Sequence, residues 1–576
     1  MRRSELDRAL ALHRQGDLAG AAAAYRALIE ETPDDAALWE YLAVASASRQ
    51  DGATEAIQSF RKALILAPAS ASALFNLAAF HVRCTQDPLA LIGFRRATAA
   101  SAANAEVWMQ RANTAIRLGR NAEALAAHRQ ATRLAPLDPH KWEQRATLLR
   151  RVAKHDEADR ATRTGLILTP DAANLWAARS AVFFEIDQTG IALLCGRHAV
   201  ISDPKNADGR ANHAQALYRA GHYSEAVREA GEAFRHAPDN PVIAFNLGLY
   251  LLTGGNLAHG WRLYDARLVP TARLRHGLPP RVWVPGAPQS GRDLIVPAEQ
   301  GLGDEVLFAS CFADLAAELD AGHLDSVTVE CTDRLRTLFE RSFPDFRFFD
   351  RLRKPENRLS PADYSQITAA SGADCFVMAG SLPGLFRKAL ENFPAGTGFL
   401  KPDPDRVAHW RMELEKFGPP PYLGLSWRSR AGRNLSTVYY PGPENMAAVL
   451  RLAGVRFVTL QYDHSEDEVA GMEKANAVEI MRPDGIDLTN DIDDTVALMA
   501  ALDAVVVPNN LLMSLAGALG KPAEAMVHAA NWTFLGTDQV PFWPSVHIHR
   551  RTDVEGLDWE PLMSRVATRL KTKLNL

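Results

Sequence analysis

Cysteine, clustered positive charge and long apolar runs are all scarce in this sequence, and each shortage removes a class of protein. Cysteine occurs five times in 576 residues, at Cys84, Cys195, Cys311, Cys331 and Cys375, and nowhere with CxxC spacing. That spacing argues against both a disulfide framework and a zinc site, and the expected compartment is a reducing one. Lysine and arginine number 64 against 68 acidic residues, for a formal net charge of −4, and they form no block. Nucleic acid is therefore not an expected partner. No run reaches the roughly 18 apolar residues that a membrane span needs. The N-terminus, MRRSELDRALALHRQGD, carries basic residues without an uninterrupted apolar core. A cytoplasmic protein with no membrane partner is expected. Length is not scarce: a chain of this size exceeds one ordinary core, and two or three domains are expected.

What the sequence has in plenty is repetition. Pro33, Pro68, Pro136, Pro170, Pro204 and Pro238 fall on one register with a step of 34 or 35 residues, and Ala102 fills the single gap. Ala21, Ala56, Ala90, Ala124, Ala158, Ala192 and Ala226 keep the same step twelve residues before each slot, and Tyr25, Phe60 and Phe94 lie four residues beyond the first three. Gly16, Gly119, Gly221 and Gly255 mark a turn before the second helix of a unit. Alanine lets paired helices approach closely, and proline ends a helix because it cannot continue the hydrogen-bond ladder. A 34-residue helix-turn-helix unit of this kind resembles the tetratricopeptide repeat, over about residues 3 to 270. Stacked units of that repeat imply a superhelix with a concave face.

Eight residues past each slot stand Tyr41, Asn76, Gln110, Gln144, Ala178, Asn212 and Asn246. Five of these seven are amides. A carboxamide has a donor and an acceptor and pairs with a peptide backbone whatever its side chains. Asn76, Gln110, Gln144, Asn212 and Asn246 are therefore candidate acceptor-binding residues. The alternative is that they satisfy backbone groups between neighbouring repeats.

After Gly255 the segment GNLAHGWRLYDARL keeps an aromatic slot at Tyr264, and TARLRHGLPPRVWVPGAP then breaks the pattern. From Asp293 short apolar runs alternate with helical segments, which predicts βαβ units and a parallel sheet. A proline-rich connector, NFPAGTGFLKPDPDR, precedes a second set that begins at YLGLSWR. Two open α/β domains facing across a cleft would hold ligands at the carboxyl ends of their strands. In VPAEQGLGDEVLF, Gly301 and Gly303 sit between the first strand and its helix, where backbone amides approach a ligand. The same residues also suit a plain corner with Asp304 as a cap.

The pieces HGWRLYDARL, EQGLGDEVLFA, GLSWRS, RFVTLQY, IDLTNDIDDTVALMAALDAVVV, LAGALGKP, NWTFLGTDQVPFWPS and DWEPLMSRVATRL span nearly the whole chain. Together they resemble tetratricopeptide-repeat proteins fused to a glycosyltransferase module of the GT-B fold, related to heptosyltransferases and more distantly to O-GlcNAc transferase. The resemblance implies an all-α tetratricopeptide-repeat superhelix over 1–270, an N-terminal Rossmann-like half over 271–405 and a C-terminal, nucleotide-sugar-binding half over 406–576. It implies that an asparagine ladder holds the acceptor polypeptide and that Asp304 is the general base of an inverting, metal-independent transfer. No cofactor is expected beyond the nucleotide sugar itself. Members with the SWRS and LQY segments are similar to bacterial flagellin glycosyltransferases, so flagellin is the expected acceptor.

Candidate donor-binding residues are Gly301, Gly303, Ser426, Arg428, Gln461, Asn509, Asn510 and Ser514. Arg428 ends a strand where it would hold phosphate oxygens bidentately, unless it is a surface arginine beside a core Trp427. Gln461, with Tyr462, would face the base or ribose. Asn509, Asn510 and Ser514 stand where the heptosyltransferase pattern has an Asp-Thr pair and a later histidine. That departure keeps open an alternative: a repeat scaffold or chaperone with a ligand-binding α/β half that does not turn over. Asp491, Asp493 and Asp494 imitate a DxD metal clamp but read as first-turn helix carboxylates. His547 and His549 alternate on one strand face with no third ligand in view, and a polar strand edge is expected there.

Overall fold

Small residues at the helix crossings make the repeats. All seven slot alanines, from Ala21 to Ala226, are fully buried, and side chains this small bring the paired helices close. The aromatics at Tyr25, Phe60, Phe94 and Tyr264 are also fully buried. Sixteen helices run from Arg2–Arg14 to Leu257–Tyr264 in the computed structural model. It describes residues 2–287, 291–352, 361–396, 398–429, 439–551 and 558–576, and leaves out the side chains of residues 2 and 270–274. Pro288 of the expected linker and Thr397 of the proline-rich connector lie outside the described residues.

The repeats carry a second device that the proline register conceals. Six residues after a slot, an indole or guanidinium N–H donates to the slot's own carbonyl: Trp39 to Pro33, Trp108 to Ala102, Trp142 to Pro136, Trp176 to Pro170 and Arg210 to Pro204, at 2.6–2.8 Å. Proline at the slot ends one helix, and the next helix satisfies the carbonyl left there. Asp35, Ser70, Asn104, Asp138 and Asn240 then cap the first helices by accepting N–H bonds from their first turns.

The chain forms two compact units, Met1–Ala216 and Leu217–Leu576. The boundary expected near residue 270 thus differs from the observed one. Helices Tyr223–His236, Pro241–Thr253 and Leu257–Tyr264 keep the repeat pattern but belong to the second unit. Aromatic packing explains this: the Trp261 indole donates to the Arg387 carbonyl at 2.9 Å, and both Trp261 and Tyr264 pack on Trp532. At Gly536 an added Cβ would meet the Gly255 Cα at 2.6 Å, so the two loops touch through backbone alone.

Strands of the second unit are β1 Arg275–His276, β2 Arg281–Val282, β3 Asp293–Val296, β4 Ser326–Cys331, β5 Arg347–Asp350, β6 Ala362–Asp363, β7 Cys375–Phe376, β8 Tyr422–Leu425, β9 Arg456–Thr459, β10 Ile480–Met481, β11 Ala504–Pro508, β12 Ala523–Val527 and β13 Val546–Arg550. One sheet has the order β2-β7-β3-β4-β5 and the other β10-β9-β8-β11-β12-β13, and all their described pairings are parallel. The second order is 3-2-1-4-5-6, counted from β8, the order of a doubly wound sheet. Its order reverses between β8 and β11, and that of the first sheet between β3 and β7. Within this unit, residues from both sheets share one buried cluster, including Leu294, Val329, Val505 and Ala525. Helix Pro404–Phe417 leads into the second sheet, and its Trp410 donates to Asp494 at 2.8 Å. No helix among the described residues is long and apolar enough to cross a membrane, and all five cysteines are free thiols.

Candidate functional site

The turn after β3 is braced by carboxylates that no motif singled out. Glu330, in the apolar strand β4, accepts N–H bonds from Ala298 (2.8 Å) and Leu352 (2.7 Å) and the Tyr364 hydroxyl bond (2.9 Å). Glu299, in the turn itself, accepts from Arg267 (2.6 Å) and from the Gly380 N–H (3.1 Å). Glu305 accepts from the Thr332 N–H (2.8 Å), the Thr332 hydroxyl (2.7 Å) and Arg351 (2.5 Å). All three are nearly fully buried. Burial pushes the carboxyls of Glu305 and Glu330 up from the ordinary range, against the hydrogen bonds that lower them. The one signal in the sequence was a charged residue inside an apolar strand, which is rarely left without partners.

Helix Leu302–Ala309 starts from that turn with Gly301 as its N-cap. Asp304 is the third residue of the helix, and its carboxylate accepts the Gly301 N–H at 3.2 Å. The aspartate thus caps from inside the helix, and its side chain is only half-buried. Gln300 has a left-handed φ of 60°, uncommon without glycine, and its amide donates to the Tyr264 hydroxyl at 2.7 Å. Through Tyr264 and Arg267 the last repeat segment, HGWRLYDARL, holds the EQGLGD turn directly. An added Cβ would meet nothing nearer than 3.7 Å at Gly301 or Gly303, so their lack of a side chain leaves room rather than relieving a clash.

Gly303 lies against the helix that follows β11. A Cβ there would lie 3.7 Å from Ser514 Oγ and 3.8 Å from Leu511 Cα. Helix Leu511–Leu519 follows β11 directly and is capped by Asn510, whose side-chain oxygen accepts the Leu512 N–H at 3.0 Å. Where the order of each sheet reverses, the two strand ends therefore meet, Gly301, Gly303 and Asp304 on one side and Asn510 and Ser514 on the other. Asn509 is half-exposed just before the cap. Between them opens a cavity of about 220 Å³, lined by Leu302, Arg334, Ser429, Tyr462, Asn510 and Leu511 among others.

The residues expected on β8 and β9 do not line this cavity. Ser426 and Gln461 are fully buried, and the Ser426 hydroxyl donates to the Gln461 carbonyl oxygen at 2.9 Å. That oxygen also accepts the Trp427 and Arg428 N–H groups, while the Gln461 amide donates to Asp463 and to the Arg428 carbonyl. Gln461 is a brace for the turn after β8. Arg428 is paired with Glu468 and Asp463, and Trp427 is fully buried. Of the expected pair Gln461 and Tyr462, Tyr462 does line the cavity, and Ser429, next to Arg428, lines it in place of the arginine. Arg428→Ala is accordingly expected to cost about 1–3 kcal/mol of stability by stranding Glu468, with no loss of nucleotide affinity. Thermal melting beside calorimetric titration checks this, and a pure affinity loss would return Arg428 to the donor site.

The amide ladder has partners inside the repeats. Asn76 donates to Glu40 at 3.0 Å, Gln110 to Glu106 at 2.9 Å and Asn212 to the Ala177 carbonyl at 3.0 Å, while Gln144 Nε2 lies 2.8 Å from His140 Nε2. Asn212 therefore makes the backbone bond between repeats that the alternative reading supposed, and Asn246 lies in the other compact unit. Asn212 also lines a cavity of about 410 Å³ within the first unit, with Glu143, Arg150, Asn174, Glu185 and Asp208. Asp491 caps helix Ile492–Ala501, while Asp493 pairs with Arg341 and Asp494 accepts from Trp410. His547 and His549 do acquire a third neighbour: Glu524, on the adjacent strand, brings a carboxylate oxygen within 4.8 Å of both.

Residues 6–81 and 212–272 match one tetratricopeptide repeat family, and residues 105–136 match a second of the same description. The repeats are tetratricopeptide repeats. Protein FlbA of Caulobacter vibrioides is 37% identical over 375 residues, which are 62% of this chain and 60% of FlbA. The chain thus spans about 60% of the length of the curated relative it matches. Among solved structures, a tetratricopeptide repeat protein from Parabacteroides merdae is 17% identical, with 43% of this chain and 97% of that chain covered and a TM-score of 0.35. Yeast Tom70 is likewise 17% identical, over 43% of this chain and 54% of that chain, with a TM-score of 0.34.

Proposed function

We propose that this protein is a glycosyltransferase of the GT-B type, moving a sugar from a nucleotide-sugar donor to a Ser or Thr hydroxyl of a protein acceptor held by the repeats. The observation that carries the reading is the meeting of the two strand ends. The Gly301–Asp304 turn stands against the helix opening at Asn510, with the 220 Å³ cavity beside them. Doubly wound sheets bind ligands where their strand order reverses. The cavity is smaller than the usual ligand cleft of about 300–1,000 Å³, so it encloses one part of the donor. Tyr462 and the leucines suit an aromatic base, and Arg334 is the cation in place for a phosphate. Arg334 is held toward the cavity by its bond to the Thr489 carbonyl at 3.0 Å.

In the transfer, Asp304 takes the proton from the acceptor hydroxyl as that oxygen attacks the anomeric carbon. The bond to the nucleoside diphosphate breaks, the diphosphate departs, and the carbon inverts. The acceptor we assign is flagellin, and the relation to FlbA supports a flagellar setting. The competing reading, a scaffold that binds nucleotide without turnover, is favoured by one observation: Arg428 and Gln461 are wholly engaged within the protein.

Intact-mass measurement of flagellin from cells with and without this gene tests the proposal. Loss of a glycosyl mass increment in the deletion is expected, and its return on complementation. An unchanged flagellin mass sinks the acceptor. Failure of the purified chain to release nucleoside diphosphate from any nucleotide sugar in the presence of acceptor sinks the transfer and leaves the scaffold.

A further inference from the structure

A cavity of about 590 Å³ opens away from the strand ends, on the outer edge of the second sheet. It lies between β13 and helix Glu560–Lys573 and is lined by His547, His549, Arg565, Thr568, Arg569 and Lys573 among others. β13 is the edge strand, and β12 separates it from β11. Parallel pairing sets Glu524 opposite His547, and side chains two residues apart share a face. Glu524, His547 and His549 are thereby brought to the face under the terminal helix.

From this geometry we infer a mononuclear site for a divalent transition metal of the zinc class, held by Glu524, His547 and His549 and open on its fourth side to the basic cavity. Two imidazoles and one carboxylate are a borderline donor set that suits zinc, and three protein ligands with an open position make a reactive rather than a closed site. One ligand atom from each residue lies within 4.8 Å of the others. Tetrahedral ligands at about 2.1 Å from an ion are about 3.4 Å apart, so a modest turn of the half-exposed His547 ring closes the set. Among the described residues the His547 side chain makes no hydrogen bond, and its ring stands edge-on to that of His549, 4.9 Å between centroids. A side chain so placed on an edge strand is available to a ligand.

The other two ligands are already oriented. His549 Nε2 and Glu524 Oε2 lie 2.6 Å apart in a hydrogen bond. The ion would stand in place of that bond, taking His549 through Nε2 while the ring keeps its one proton on Nδ1. Arg569 donates to the other Glu524 oxygen at 3.2 Å, which fixes the carboxylate with Oε2 turned to the histidines. Arg565, Arg569 and Lys573 make the cavity wall basic. That charge disfavours a bare cation but suits one that keeps an anion, such as phosphate or hydroxide, in its open position.

The test uses the full chain, stripped with chelator and titrated with Zn²⁺ and Co²⁺ by equilibrium dialysis. One equivalent is expected to bind, with the strong visible absorption of low-coordinate Co²⁺ and a spectral change on adding inorganic phosphate. His547→Ala, at a half-exposed position, is expected to keep the circular dichroism spectrum and to lose at least about 100-fold in affinity. His81→Ala, at a half-exposed histidine of the repeats, is expected to bind like the parent. Absence of stoichiometric Zn²⁺ binding in the parent, or equal affinity in His547→Ala, overturns the site.

Discussion

Asp304→Asn is expected to lower sugar transfer by about 100-fold or more while leaving the fold unchanged. A positioned base contributes about 10²–10⁴ to the rate, and an amide cannot take the proton. The substitution is diagnostic because of what the carboxylate also does. Asp304 accepts the Gly301 N–H at 3.2 Å, and an asparagine oxygen still accepts that bond, so the helix start survives. Asp304→Ala removes both functions and costs about 1 kcal/mol of stability besides, as the loss of a cap does. Comparing the two therefore separates chemistry from capping. Initial rates of acceptor modification, with melting midpoints alongside, give both quantities. Equal turnover in Asp304→Asn and the parent would leave the aspartate as a helix cap and nothing more.

Periodic features were legible in the sequence because they are local. A 34-residue step in alanine marked seven fully buried crossings, and the switch from helical period to short apolar runs at Asp293 marked β3, though the short strand β2 of the same sheet precedes it. The EQGLGD turn was found for the same reason, since a strand, a turn and a helix are contiguous. What failed to show depends on partners distant in the chain. Arg428 and Gln461 lie in the turns that follow β8 and β9 rather than at the strand ends, and of the pair Gln461 and Tyr462 only Tyr462 lines the cavity while Gln461 is sealed within the protein. Nothing within RFVTLQY distinguishes these two. The Glu524 carboxylate joins His547 and His549 only through the register of two parallel strands, 23 residues apart in sequence. The unit boundary at Ala216 was hidden because the repeat period continues to Tyr264 regardless of what packs against it. Trp532, which draws those last helices into the second unit, lies far downstream.

His128 is expected to make the stability of the first unit depend on pH, and His128→Phe to remove that dependence. The repeat register puts residue 128 in the slot held by Tyr25, Phe60 and Phe94, and His128 is as buried as they are, at 1% exposure. Neither of its ring nitrogens has a partner among the described residues. Burial, and then the positive charges of Arg145 and Lys141, push its pKa down to about 4. The folded value lies below the ordinary value near 6.5 of an unfolded chain, so the unfolded state takes up the proton first as pH falls. Stability from the neutral ring is therefore complete above pH 6.5 and is lost as pH falls toward 4. The loss is about 2 kcal/mol at pH 5 and about 3 kcal/mol below pH 4. Phenylalanine cannot titrate and leaves no buried nitrogen unpaired, which offsets the crowding of its larger ring. Chemical unfolding followed by far-ultraviolet circular dichroism, at pH 7.5 and pH 5.0, measures the acid loss in each protein. The parent is expected to lose about 2 kcal/mol more than His128→Phe between the two conditions. An equal loss in both would mean that His128 already carries its proton in the native protein, or that water reaches it.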